Sequence, residues 1–221
     1  MGKQINLGVL VSGSGSNLQS LIDNIENGKL DATITVIISN NADAYALERA
    51  REHNIPSVVI DHRQFTNRED FDLKMIEILT SYSVELVIMA GFMRILTETF
   101  LDTFHMRIMN IHPALLPSFQ GLHGQEKAFE YGVKFAGCTV HFADKGVDTG
   151  PIIIQAVVPV FDDDTAETLQ KRILKEEHRI YPQAIQLYIE DKLEIKGRRV
   201  HIKDYRKIEG IPMHNPPLET F

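Results

Sequence analysis

The chain has 221 residues, 43% apolar and 24% charged, which is ordinary usage for a folded globular protein and excludes a disordered one. Its 23 basic side chains against 30 acidic ones give a net charge of −7, which opposes any general affinity for nucleic acid or anionic membrane, since phosphate backbones demand clustered positive charge. One cysteine, Cys138, cannot form an internal disulfide, and neither a signal peptide nor a membrane span of about 20 apolar residues is read, so a cytoplasmic protein of a single domain over 1–221 is expected.

Short β-rich apolar runs at 5–11, 33–39, 57–60, 86–90 and 107–111 alternate with helix-like stretches, the pattern of a parallel sheet built from β-α-β units. In the first interval Leu18, Leu21, Ile22 and Ile25 recur at helical spacing; Ser16 is expected to cap the start and Gly28 to end the helix in the left-handed conformation. The second helix carries Ala46, Leu47 and Ala50, and the third Phe71, Met75, Ile78, Leu79 and Tyr82. After His112, residues Pro113, Pro117 and Gly121 force an irregular loop ahead of a short helix near 125–131. Strands at 137–142 and 152–160 flank the turn-rich ADKGVDTGP and are expected to pair antiparallel. A long helix follows at 165–190, with Leu169, Ile173, Ile180, Ala184 and Leu187 on one stripe and a kink or break expected at Pro182. The tail from 191 holds two short strands, 192–195 and 200–202, then a Pro-rich end with Pro212, Pro216 and Pro217.

Three constellations carry chemistry. Ser12-Gly13-Ser14-Gly15-Ser16-Asn17 lies between the first strand and the first helix, where backbone N–H groups and the helix dipole favour an anion. Alone, such a loop serves equally as a plain turn, and it completes neither G-x-G-x-x-G nor the Walker loop. A nicotinamide dehydrogenase would want an acidic residue where the second strand ends in Ser39-Asn40-Asn41, although Asp43 is close by. Asn110-Ile111-His112-Pro113 stands at the carboxyl end of a parallel strand, where open α/β sheets place their crevices; residues two apart face the same side, so the amide and the imidazole share it. A lone His would more often only tie down the following loop. Asp148, in the glycine-rich loop between the two antiparallel strands, is a carboxylate able to raise an imidazole pKa by charge pairing, though most such aspartates cap turns. Contact with His112 does not follow from the spacing. No histidine spacing builds a metal site, and Cys138 reads as a small buried hydrophobe.

VLVSGSGSNLQSLID, SNNADAYALERA, AGFMRIL, NIHPALLPSFQGLHG, VHFADKGVDTGPIIIQAVVPV and EEHRIYP occur in this order between about 5 and 182. With them the chain resembles the phosphoribosylglycinamide formyltransferases. N-x-H followed by LLP, and D-x-G-P, belong to formyltetrahydrofolate enzymes broadly, whereas SGSGSNL and EEHRIYP point to the glycinamide members. One departure is Ser118-Phe119-Gln120-Gly121, where a basic residue and a second proline are common in the family. The resemblance implies an α/β fold, a Rossmann-like, mostly parallel central sheet flanked by helices with an antiparallel portion in the C-terminal half. It divides the chain into a nucleotide-binding half (1–105), a catalytic and folate-binding half (106–190) and a tail (191–221). It implies formyl transfer from the co-substrate 10-formyltetrahydrofolate to the primary amine of glycinamide ribonucleotide in purine synthesis, without a metal. Asn110 and protonated His112 would stabilise a tetrahedral intermediate, with Asp148 assisting proton transfer. Gly15, Ser16 and Asn17 would bind the phosphate and Glu177 the glycinamide end, beside Leu174, Lys175 and Glu176. Met93, Arg94, Ile95 and Leu96 would line the pterin pocket with Asn110 and with Asp144, Lys145, Gly146, Val147 and Asp148, and Arg68 would serve the folate side.

The nearest rival is a formyltetrahydrofolate hydrolase with the same Asn, His and Asp, for which an additional N-terminal regulatory domain is expected ahead of a strand that here starts at Ile5. A methionyl-tRNA formyltransferase would want a basic RNA-binding module. A noncatalytic nucleotide-binding module would bind phosphate ligands but no folate. Monomer and homodimer both stay open.

Overall fold

A computed structural model describes residues 4–204 and 213–215; the expected prolines at 212, 216 and 217 lie outside the described residues. Nine strands form one sheet in the order β3-β2-β1-β4-β5-β6-β7-β9-β8. The first five, β1 (Ile5–Val11), β2 (Ala32–Ser39), β3 (Ser57–Val59), β4 (Leu86–Met89) and β5 (Ile108–His112), run parallel. Then β6 (Phe135–Phe142) joins β5 antiparallel and β7 (Ile152–Pro159) joins β6 antiparallel, as the turn-rich segment between them predicts. The tail hairpin, β8 (Leu193–Lys196) and β9 (Arg199–Ile202), extends the same sheet through a parallel contact with β7.

Alternation along the strands divides the core between the two faces. Leu7, Val9 and Val11 of β1 face a layer containing α1 (Ser16–Glu26), α2 (Tyr45–Glu52), α5 (Gly124–Tyr131) and α6 (Ala166–Ile189). Leu10 faces the other layer, built by α3 (Arg68–Ser81) and α4 (Glu98–Thr103) with Phe71, Met75 and Phe100. Fully burying each large apolar side chain contributes about 1.5–3 kcal/mol, so both layers stabilise the sheet that carries the site.

Two helix expectations are corrected. Ser16 is not the cap of α1 but its first residue: Gly15 holds the cap position at φ +68°, and no side chain caps the helix. Gly28 does take the left-handed conformation just beyond the end, at φ +67°. Of the kink or break expected at Pro182, the break does not occur; α6 runs through it, its flanking Ile180, Tyr181, Ala184 and Ile185 all buried, so packing outweighs the lost backbone hydrogen bond. The short α4, absent from the sequence reading, starts at a Thr97 side-chain cap. No helix among the described residues is long and apolar enough to cross a membrane.

Candidate active site

The sheet order reverses at β1, whose neighbours are β2 and β4, and such a switch point opens a crevice beyond the carboxyl ends of the strands. Ser12 and Gly91 leave these strands side by side: Ser12 N–H donates to the Gly91 carbonyl at 3.1 Å. The Ser12 hydroxyl donates to Asn40 Oδ1 at 2.6 Å and accepts the Met93 N–H at 2.9 Å. Asn40 thus occupies the place where a dinucleotide enzyme would want a carboxylate, and Asp43 is exposed.

Beside this crevice a cavity of about 370 Å³ is lined by Met93, Arg94, Ile95 and Leu96, by Asn110 and His112, and by every residue from Asp144 to Asp148. It draws on both halves of the chain. Its size falls within the usual range for small-molecule sites. Arg68 is exposed at the first position of α3 and is not among the lining residues.

The structure brings Asn110, His112 and Asp148 together. Asn110 and His112 sit two apart near the end of β5, and Asp148 arrives from the β6–β7 connection in a left-handed conformation, φ +54°. His112 Nδ1 lies 3.3 Å from Asp148 Oδ2, with the side chains only 4% and 12% exposed. Asn110 Nδ2 donates to Asp148 Oδ1 at 3.3 Å, and the Gly121 N–H donates to Asp148 Oδ2 at 2.8 Å. The departure noted in the loop after LLP does not disturb this: Gln120 Nε2 also donates to the Asp148 carbonyl, at 3.1 Å.

His112 Nε2 meets the Phe119 carbonyl at 2.8 Å, so both ring nitrogens face acceptors and only the doubly protonated ring satisfies both. Burial opposes that form. It depresses the His112 pKa, the Asp148 carboxylate and the Phe119 carbonyl pull it back, and the balance lies below the ordinary imidazole value. The expectation that charge pairing raises this pKa is therefore corrected: the pairing acts in that direction, and desolvation outweighs it. For Asp148 burial is again the largest single influence and acts upward, but the nearby His141 ring, the hydrogen bond from the Gly121 N–H and the charge of His112 together hold the carboxyl below its ordinary value.

His141 belongs to this group as well, although no sequence motif marks it. It faces Asn110 in the antiparallel register of β5 and β6, with Nε2 3.2 Å from Asn110 Nδ2 and 3.6 Å from Asp148 Oδ1. Its Nδ1 meets the Phe142 carbonyl at 2.9 Å. Cys138, on the same strand, is buried and its thiol is pushed up by burial, as expected of an inert side chain.

At the start of α1, Gly15 and Asn17 are buried and Ser16 half-buried. Asn17 Nδ2 donates to Glu177 Oε2 at 2.7 Å, which joins α1 to α6 across 160 positions. Burial pushes the Glu177 pKa upward, and the Asn17 hydrogen bond opposes the shift. Next to Glu177, Leu174 and Glu176 are half-buried and Lys175 is exposed. Glu177 and the turn thus come together, while neither is among the residues lining the cavity.

A profile of the formyl transferase family matches residues 5–185. Phosphoribosylglycinamide formyltransferase of Haemophilus influenzae is 40% identical over 196 residues, covering 89% of this chain and 92% of that protein. The crystal structure of glycinamide ribonucleotide transformylase 1 from Symbiobacterium toebii superposes with a TM-score of 0.90 at 51% identity, covering 92% of this chain and 96% of that one. The trifunctional purine biosynthetic protein adenosine-3 of Chironomus tentans is 46% identical over 82% of this chain, which spans only 13% of that longer protein. The chain belongs to the formyl transferase family and, within it, to the phosphoribosylglycinamide formyltransferases.

Proposed function

We propose that the chain transfers the formyl group of 10-formyltetrahydrofolate to the primary amine of glycinamide ribonucleotide, a step of purine synthesis. The observation that carries this reading is the meeting of Asn110, His112 and Asp148 at the wall of one cavity. The lining suits a folate: Met93, Ile95, Leu96 and Val147 offer apolar surface to a flat ring system, and the 93–96 and 144–148 segments offer polar backbone groups. The N–H groups of Gly15, Ser16 and Asn17 take the ribonucleotide phosphate at the helix terminus. Glu177 takes the glycinamide end, with Leu174, Lys175 and Glu176 beside it.

The residues then act as follows. The amine lone pair forms a bond to the formyl carbon while negative charge collects on the formyl oxygen. Asn110 and the imidazolium of His112 donate hydrogen bonds to that oxygen, typically the largest electrostatic contribution to acyl transfer. His112 must exchange the Phe119 carbonyl for the new acceptor, since its other nitrogen stays with Asp148. Asp148 offsets part of the cost that burial sets on the charged ring. It also routes, through water, the proton that the new ammonium gives up and the folate nitrogen takes as its bond to carbon breaks. Such acid–base assistance is worth roughly 10²- to 10⁴-fold in rate.

The hydrolase reading uses the same residues with water as acceptor and has less support, because the relative matched over 92% of its own length carries the transferase name. Steady-state turnover of 10-formyltetrahydrofolate by the purified protein tests the choice. Loss of the formyl group that requires glycinamide ribonucleotide is expected; equal loss without it, with formate released, decides for the hydrolase.

A further inference from the structure

We infer that Arg49 is a positioning residue for the phosphate-binding turn, holding the turn's carbonyls away from the anion and supplying the uncompensated positive charge beside it. The inference rests on the ribonucleotide reading of the Ser12–Asn17 turn. What makes a peptide turn an anion cradle is the direction of its peptide planes: each carbonyl tied back turns the N–H on the same plane outward. Here three successive carbonyls are tied back. The Ala46 N–H donates to the Gly13 carbonyl at 3.1 Å, Arg49 Nε donates to the Ser14 carbonyl at 3.0 Å, and the Gln19 N–H donates to the Gly15 carbonyl at 2.9 Å. Among the described residues the N–H groups on those three planes, of Ser14, Gly15 and Ser16, meet no protein acceptor.

Of the three ties, the one to Ser14 alone comes from a side chain, and that side chain is itself fixed at three points. Arg49 Nη1 donates to Gln19 Oε1 at 2.9 Å, its guanidinium lies 4.8 Å from the centre of the Tyr45 ring, and its stem passes close to Gly15. No carboxylate pairs with it among the described residues, although the chain as a whole is acidic. A fixed guanidinium without a counter-ion is a strong partner for a phosphate monoester. A second feature of the same turn points to a ligand that carries hydrogen-bond donors besides its phosphate, as a ribonucleotide does in its hydroxyls: Asn17, only 9% exposed in the first turn of α1, leaves its Oδ1 without a hydrogen-bond donor. The SNNADAYALERA stretch thereby acquires a purpose beyond its place in the sheet, since Ala46 and Arg49 on α2 shape a turn more than 30 positions earlier.

The test combines kinetics with binding of inorganic phosphate, followed by phosphorus NMR, on wild type, Arg49→Met and Arg49→Lys. Loss of a charge-assisted contact in Arg49→Met is expected to raise the KM for glycinamide ribonucleotide about tenfold or more, with kcat and the KM for 10-formyltetrahydrofolate changed by less than about twofold. Phosphate binding weakens in parallel, while the kcat/KM for the phosphate-free riboside stays at the wild-type value. Arg49→Lys keeps the charge without the fork and falls between the two. A ribonucleotide KM in Arg49→Met within about twofold of wild type, or an equal loss with the riboside, overturns the inference. If Arg49→Met does not fold, Arg49→Lys decides: a wild-type KM overturns the positioning role and a raised one supports it. Wild type that ignores glycinamide ribonucleotide yet binds phosphate through Arg49 would instead sink the proposed reaction and leave Arg49 in place.

Discussion

Replacing Asp148 by Asn separates charge from shape at the centre of the site. The carboxylate stands 3.3 Å from His112 Nδ1, both groups are largely buried, and the Asp148 charge is the largest influence opposing the burial that depresses the imidazole. An opposite charge at such a distance favours the charged ring by about 1.4–4 kcal/mol, so its loss cuts the imidazolium population near neutral pH about ten- to a thousandfold. If that imidazolium is the donor to the formyl oxygen, kcat falls by a similar factor, and loss of the proton route carries it toward about 10⁴-fold. The amide retains an oxygen for the Gly121 N–H now bonded at 2.8 Å, so the stability change should stay near about 1 kcal/mol. The assay is single-turnover formyl loss at saturating substrates, with the His112 ring titrated by NMR in both proteins. A kcat within about threefold of wild type, or an unchanged His112 titration, refutes this account of the pair.

Glu177→Gln tests the buried carboxyl at the α1–α6 contact. Because burial raises its folded pKa above the ordinary 4.5, wild type loses stability relative to the variant as pH rises from about that value through the raised folded value, and the gap then stays constant; urea midpoints from pH 4 to pH 8 follow it. Wild type that gains stability relative to the variant as pH rises contradicts the assignment. In Gly15→Ala, a Cβ would stand 2.7 Å from the Ala46 side chain and 2.9 Å from its Cα at a positive φ, so a loss of about 1–3 kcal/mol is expected in chemical denaturation, and an unchanged midpoint contradicts it. Tyr181→Phe removes a fully buried hydroxyl 2.8 Å from the Met109 carbonyl and 3.0 Å from the Met89 carbonyl, and should cost about 1–3 kcal/mol in thermal or urea unfolding by leaving carbonyls of β4 and β5 unsatisfied.

The features legible in the sequence are those written in local patterns. Strand β1 lies at the expected 5–11, Gly28 ends α1 as its lack of a side chain allows, and ADKGVDTGP predicts the antiparallel pair that delivers Asp148. Asn110 and His112 could be set on one side of β5 by the two-residue period alone. Other features depend on register or on backbone groups, which residue identities do not encode. His141 enters only through its pairing with Asn110, 31 positions away. The acceptor on His112 Nε2 is a carbonyl, so nothing about the identity of Phe119 announces it. The sign of the His112 shift requires knowing how deeply the ring is buried, which a charge-pairing argument leaves out. Helix α4, six residues long, is too short to show a periodicity.

The central claim is that this site passes a one-carbon unit from a folate to a primary amine. Carbon-13 NMR of the products, with the label in the formyl group of 10-formyltetrahydrofolate and glycinamide ribonucleotide as acceptor, reads that transfer directly. The label should appear as a formamide on the ribonucleotide; label found only in free formate would contradict it.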